Sequence, residues 1–186
     1  MPSQHPFCNN SGFTLIEAMV VVSILALTLA VGLPNFSAFV NDNRISGNAN
    51  EFIGAMTLAR SEAVARGRLV TICRSENPNA SSPSCAAGAN WNTGWVVFVE
   101  NASGSGVGTF DEGETIIARQ AAMPKNTNAS GNLSALTFNA MGAPTGGAVS
   151  AAFNFNYDGL RPREVCINRN GRVKVVQGGK DASACN

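Results

Sequence analysis

The chain has 186 residues, a formal net charge of +1 and only 13% charged residues. Once any N-terminal segment is set aside, that length allows one domain with its own hydrophobic core. Abundant Gly, Asn, Ser and Ala are typical of an exported, loop-rich domain rather than of a cytosolic enzyme. A phosphate-binding glycine loop, a G-x-S-x-G motif and a pair of histidines are all missing from the sequence. It therefore predicts no enzyme, no catalytic residue, no cofactor and no metal site.

The N-terminal region contains a long uncharged run. No charged residue lies between Ala18 and Asn41, and with 13–16 in front the apolar stretch extends to Leu33. About 20 apolar residues are enough for a helix to cross a bilayer, so we predict a transmembrane helix at 13–34. Glu17 interrupts this stretch, and a carboxylate in lipid usually marks a function and requires a partner.

The order Gly12-Phe13-Thr14-Leu15-Ile16-Glu17 before an apolar helix resembles the start of type IV pilins and type II secretion pseudopilins. In that family a prepilin peptidase cuts after the glycine and methylates the new N-terminal phenylalanine. The resemblance implies that 1–12 is a leader, that the cut separates Gly12 from Phe13, and that Glu17 neutralises a neighbouring subunit's N-terminal ammonium. The leader lacks the Lys or Arg that is usual in the family. An ordinary signal peptide or a single-span anchor is the alternative.

Apolar residues then recur at steps of three and four, which predicts an amphipathic helix at 35–66 that continues the apolar one. Its apolar stripe consists of Ile45, Ala49, Phe52, Met56, Ala59 and Ala63. Gly67 is the predicted stop. Together, 13–66 would form the spine of a pilin.

Beyond the helix, β-branched runs alternate with turn residues, which predicts about seven strands in a β-rich head at 67–186. The predicted strands are 69–73, 95–99, 115–118, 133–139, 152–157, 164–167 and 172–176. The predicted fold class is therefore α+β, with a long N-terminal helix, transmembrane and then amphipathic, packed on an antiparallel β-sheet head.

Four of the five cysteines lie outside the predicted leader. An even set in an exported domain indicates two disulfides, for which three pairings exist. We favour Cys73–Cys85 and Cys166–Cys185, because each pair closes a short loop rich in Asn, Ser and Gly. A zinc site is the alternative, but the sequence has no C-x-x-C pair and its single histidine lies in the leader.

The interior of the chain is similar to the H-type minor pilins and pseudopilins, the FimT, FimU and GspH group. The similarity is carried by an ordered set of segments: A-R-S-E-A-V-A-R-G at 59–67, V-T-I-C at 70–73, W-N-T-G-W-V-V-F-V at 91–99 and D-E-G-E-T-I at 111–116. The resemblance implies a structural subunit whose partners are other pilins, the prepilin peptidase and the inner membrane.

The C-terminal part is basic, with six basic residues and one acid in 161–180. Arg172 and Lys174 alternate along a predicted strand and so share a face, and a turn brings Arg169 alongside. Gly171-Arg172-Val173-Lys174 is similar to the G-R-x-R element of FimT-like pilins that bind DNA in natural transformation, with Lys in the last place. The resemblance implies contact with a phosphate backbone. Solvated strand positions or contacts to a neighbouring pilin are the alternative.

These observations predict a minor pilin or pseudopilin. It would be a single-pass inner-membrane protein with its head in the periplasm, incorporated into a pilus or a secretion pseudopilus. Contact with DNA through the basic hairpin is a further expectation. Two alternatives stay open. One is an H-type pseudopilin of type II secretion without DNA binding, and the other is a DNA-uptake receptor for competence.

Overall fold

A computed structural model describes residues 12–88, 90–101, 106–124, 127–145, 150–157 and 162–177. The chain divides into two compact units, Met1–Val40 and Asn41–Asn186. The predicted leader, apart from Gly12, lies outside the described residues.

Helix α1 spans Leu15–Arg66 and includes both predicted helical parts. Thr14 caps it: its hydroxyl oxygen accepts a hydrogen bond from the Glu17 amide at 3.3 Å. The helix ends at the predicted stop, where the amide of Arg68 donates to the Ala63 carbonyl at 3.2 Å, a common C-terminal cap.

Among the residues that the structure describes, which leave out the side chains of 31–35, no helical stretch is both long and apolar enough to cross a bilayer. The transmembrane helix at 13–34 stays a prediction.

Eight strands follow the helix in the described part of the chain. They are β1 Val70–Arg74, β2 Trp95–Val99, β3 Thr115–Gln120, β4 Thr127–Gly131, β5 Ala135–Phe138, β6 Ser150–Tyr157, β7 Arg163–Asn168 and β8 Val173–Gln177. They form two four-stranded antiparallel sheets with the orders β3-β2-β1-β5 and β4-β6-β7-β8. The predicted α+β architecture is confirmed, and the predicted strands match all of these except β4.

Strand β4 was missed because its sequence, T-N-A-S-G, lacks the β-branched and aromatic residues that favour strands. Its small side chains make room for neighbours. A Cβ atom on Gly131 would lie 2.5 Å from the Phe153 ring and 3.0 Å from the indole nitrogen of Trp91. Packing against large aromatic residues, rather than local strand propensity, therefore accounts for the formation of β4.

The main core joins the helix to both sheets. All six residues of the predicted apolar stripe are buried, as are inward-facing residues of β1, β2 and β5 in one sheet and of β4, β6 and β7 in the other. Phe52 lies at the centre, with ring centroids 5.1 Å from Trp91, 5.0 Å from Trp95, 4.7 Å from Phe153 and 5.4 Å from Phe155.

A smaller cluster covers the opposite face of the first sheet. Cys73, Val96 and Phe98 are buried there, and the Phe98 ring packs edge-to-face on Phe110 at 5.3 Å. A disulfide joins Cys73 to Cys85 with a Cα separation of 5.6 Å, as predicted.

The loop that follows β1 is further held by a buried arginine. Arg74 donates to the carbonyls of Asn90 and Ala87 and pairs with Glu76 at 2.7 Å. In the second sheet Cys166 is also disulfide-bonded. Its predicted partner, Cys185, lies outside the described residues, so that pairing stays a prediction.

Candidate functional site

The predicted processing and assembly residues lie together at the start of α1. Gly12 and Phe13 precede the helix, and the Phe13 side chain is 77% exposed. Glu17 is an exposed residue of the first helical turn. Thr14 and Glu17 have the spacing of a capping box. A carboxylate here is favoured by the positive end of the helix dipole.

The first compact unit exposes apolar side chains on every side of its helix. The large ones are Phe13, Leu15, Ile16, Met19, Val20, Val21, Val22, Ile24, Leu25, Leu27, Leu29, Phe36 and Phe39. Soluble monomers rarely leave so much contiguous apolar surface in water. A helix that is apolar on all sides is normally covered by lipid or by other protein.

A tight turn joins β7 to β8 and carries two of the predicted DNA-contacting residues. The amide of Gly171 donates to the Asn168 carbonyl at 2.9 Å, and the amide of Asn168 donates to the Arg172 carbonyl at 3.1 Å. The Asn168 side-chain oxygen accepts from the amides of Asn170 and Arg172 at 3.2 and 2.9 Å. Gly171 has a φ of +70°, the left-handed conformation that closes a three-residue loop. Arg169 therefore lies within the turn itself.

A second turn, which sequence reasoning missed, has the same construction. The amide of Gly142 donates to the Asn139 carbonyl at 2.8 Å, and the amide of Asn139 donates to the Ala143 carbonyl at 2.9 Å. The Asn139 side-chain oxygen accepts from the amides of Met141 and Ala143 at 2.9 and 3.1 Å. The φ of Gly142 is +73°. The shared signal in the sequence is Asn-x-x-Gly, at 139–142 and 168–171.

The two turns pack on each other and on the helix. A Cβ atom on Gly171 would lie 2.0 Å from the Gly142 carbonyl oxygen and 3.2 Å from Nε of Arg60. Arg60 Nε donates to that same carbonyl at 3.0 Å. We call Arg60 and the turns at 139–143 and 168–172 the twin-turn surface. The tip of the β7–β8 hairpin can pack this closely on the turn at 139–143 because residue 171 is glycine. Any Cβ atom there would clash with the Gly142 carbonyl.

Of the three predicted cations, Arg169 and Arg172 belong to this surface and Lys174 follows it in β8. Arg169, Arg172 and Lys174 are all exposed. Arg172 directly precedes β8 and Lys174 is its second residue, so alternation sends both side chains to one face. None of the three forms an ion pair with another described residue. Arg163, by contrast, pairs with Asp42 at 3.5 Å.

The glycine-rich loop after β2 is held by buried carboxylates. Glu100 accepts hydrogen bonds from the Thr71 hydroxyl and from the Gly108 amide, the latter at 2.8 Å. Burial raises the pKa of Glu100, the two hydrogen bonds lower it, and the charges of Glu114 and Asp111 raise it further, with a net upward shift. Among the described residues, no group of acids, histidines or cysteines is arranged to hold a metal ion.

Comparison with known families identifies this fold. The family model described as type II transport protein GspH matches residues 48–171. The chain belongs to the GspH family. The model of the prokaryotic N-terminal methylation motif matches residues 8–33, across the predicted cleavage point of this GspH-family chain.

Solved structures show the same fold at low sequence identity. The type IV minor pilin FimU of Pseudomonas aeruginosa is similar with a TM-score of 0.56 and 21% identity, over 80% of this chain and 99% of that one. The minor pseudopilin EpsH of the Vibrio cholerae type 2 secretion system is similar with a TM-score of 0.50 and 12% identity, over 74% of this chain and 99% of that one. Among curated proteins, none matches the chain closely enough to add to the assignment.

The family and the methylation motif together make this GspH-family chain a structural subunit of the minor pilin or pseudopilin type. One of the two solved relatives is a pilus protein and the other a secretion protein.

Proposed function

We propose that the chain is a minor subunit of a filament built at the inner membrane, either a type IV pilus or a type II secretion pseudopilus. Helix 13–34 anchors the subunit in the membrane before assembly, and the head lies in the periplasm. The chain has no catalytic role of its own and works through contacts with other pilins. The observation that carries this proposal is a helix exposing apolar side chains all round, with one acid in its first turn.

Glu17 selects the subunit for incorporation into the filament. After cleavage between Gly12 and Phe13 each subunit carries a new terminal ammonium. A lone carboxylate or ammonium in lipid is costly, and the two together are tolerated when they pair. Glu17 is exposed on the isolated subunit, so its carboxylate is accessible to a neighbour's N-terminus.

Mass spectrometry of the chain recovered from cells tests the processing step. We expect a mature chain that begins at N-methylated Phe13, and an unprocessed chain in cells lacking prepilin peptidase. Finding residues 1–12 still attached in cells with an active peptidase would contradict the proposal.

A second candidate function is contact with DNA, either as part of a pilus or as a DNA-uptake receptor. It is favoured by the exposed cations Arg169, Arg172 and Lys174, which have no acidic partner in the described part of the chain. The element Gly171–Lys174 keeps the charge of the G-R-x-R pattern. Its last position is a lysine, whose ammonium group cannot form the bidentate contact that an arginine guanidinium forms. Contact would be with phosphates, because Arg169, Arg172 and Lys174 lie on a turn and a strand rather than on a recognition helix.

DNA titration of the full-length protein in detergent micelles tests this second function. We expect the protein to bind duplex DNA with an affinity that does not depend on sequence. The logarithm of the association constant should fall linearly with the logarithm of the salt concentration. Replacing Arg169, Arg172 and Lys174 together by alanine should abolish most of the binding. Equal binding by this triple variant would refute the assignment, and absence of binding by the unmodified protein would favour a secretion pseudopilin without a DNA role.

A further inference from the structure

Arg60 is a cation on helix α1 that the sequence did not connect with the basic C-terminal hairpin. It is half-buried, and its Nε–H donates to the Gly142 carbonyl at 3.0 Å. The same nitrogen lies 3.2 Å from the position a Cβ atom on Gly171 would take. Arg60 therefore stands against the residue that immediately precedes Arg172.

The remaining donors of Arg60 are unused within the described residues. A guanidinium carries five N–H donors in a planar fork. Only the Nε–H of Arg60 is engaged, and no ion pair or other hydrogen bond to a described residue involves its two terminal amino groups. Two terminal nitrogens in a fork match the bidentate geometry of a phosphate.

We propose that Arg60 is a fourth cation of the nucleic-acid contact and binds a backbone phosphate alongside Arg172. This inference rests on the proposed DNA contact of the hairpin. The Nε–Gly142 hydrogen bond holds the guanidinium plane in place before any ligand arrives. Less side-chain entropy is then lost on binding than for a freely rotating surface arginine.

The arrangement also explains why the twin turns pack so closely. Gly142 supplies the carbonyl that orients Arg60, and Gly171 brings the hairpin tip against that carbonyl. The resulting surface carries cations from two elements, Arg60 from the helix and Arg169 and Arg172 from the hairpin. A phosphate backbone is an extended line of negative charges, so cations from two separate elements can contact it together.

Binding of duplex DNA by the full-length protein in detergent micelles, measured by fluorescence anisotropy over a salt titration, tests the inference. Arg60→Ala should weaken binding at least about tenfold, because a hydrogen bond to a charged group is lost. It should also reduce the slope of log K against log salt by about one, as loss of one phosphate contact does. Arg44→Ala is the matched control, since it removes an exposed arginine from the same helix. Its affinity should stay within about twofold of the unmodified protein, because an exposed charge outside the contact surface adds little.

Arg60→Lys separates contact from positioning. Lysine keeps the charge but loses the Nε hydrogen bond, so a contact role predicts a retained salt slope and an affinity between those of Arg60→Ala and the unmodified protein. The inference is overturned if Arg60→Ala binds like Arg44→Ala while the Arg169/Arg172/Lys174 triple variant loses binding. It is also overturned if Arg60→Ala lowers affinity with an unchanged salt slope. If the unmodified protein binds no DNA, the proposed DNA function and this inference fail together.

Discussion

The packing of Phe52 between the two sheets predicts that Phe52→Ala will be the most damaging single truncation in the second compact unit. Its side chain is fully buried, and its ring centroid lies within 5.4 Å of those of two tryptophans and two phenylalanines. Truncation of a buried phenylalanine to alanine lowers the free energy of unfolding by about 3–5 kcal/mol. Edge-to-face aromatic pairs add roughly 0.5–1.5 kcal/mol each. Because the surrounding rings relax only partly, we expect a loss of about 4–5 kcal/mol, near the upper end of that range.

Urea unfolding of a chain that begins at Asn41, the start of the second compact unit, measures this loss. The protein has two tryptophans, and both rings contact Phe52, so intrinsic fluorescence reports on the perturbed cluster itself. The midpoint should fall while the slope with urea stays the same. Glu51→Ala is the control, because it alters the exposed neighbour of Phe52 and should change stability by no more than about 0.5 kcal/mol. A loss below about 2 kcal/mol for Phe52→Ala would refute the central packing role, since even the mildest large-to-alanine core truncations reach that value.

The same unfolding assay tests four further expectations. Replacing Cys73 and Cys85 by alanine opens a loop with a sequence separation of 12 and should cost about 3 kcal/mol through unfolded-chain entropy. Gly171→Ala should cost at least about 1 kcal/mol, because a left-handed backbone is strained for alanine and the new Cβ meets a carbonyl oxygen. Gly54→Ala should instead stabilise by up to about 1 kcal/mol, since that helical glycine has nothing within 4 Å of a new Cβ. The pKa of Glu100 is raised from its ordinary value of 4.5 on folding. The folded chain thus binds that proton more tightly, and the free energy of unfolding should fall as pH rises from 4.5 through the folded pKa. Glu100→Gln should remove this decline.

Opposite results would identify which part of the reasoning fails. An unchanged midpoint without the disulfide would mean that the buried arginine and its hydrogen bonds already hold the loop. Equal effects of the two glycine substitutions would show that the twin turns are not packed as described. A Glu100→Gln variant with the same pH dependence as the unmodified protein would assign the titration to another group.

The sequence predicted the helix and its buried face because both depend on local periodicity. Steps of three and four bring Ile45, Phe52 and Met56 to one side, and all three are buried. The Cys73–Cys85 disulfide was predictable for a similar reason, since the chain between the two cysteines is short and rich in turn residues. The β-branched runs of β1 and β2 predicted those two strands to within one residue of their bounds.

The parts that the sequence did not predict depend on contacts between distant segments. Strand β4 forms because Phe153 and Trp91 need small neighbours, and no local propensity in T-N-A-S-G records that need. The twin turns are separated by a strand pair, so their mutual packing and the role of Arg60 could not follow from either Asn-x-x-Gly segment alone. The division of the strands into two sheets is likewise a property of their long-range pairing.

The proposed role of Glu17 in selecting the subunit for assembly is tested most directly by incorporation of the chain into filaments. Sheared filaments and membranes from the same cells would be probed for the unmodified chain, for Glu17→Ala and for Glu51→Ala, which removes an exposed acid from the same helix. We expect Glu17→Ala to accumulate in membranes and to be missing from filaments, while Glu51→Ala is incorporated like the unmodified chain. Equal incorporation of Glu17→Ala and the unmodified chain would contradict this role.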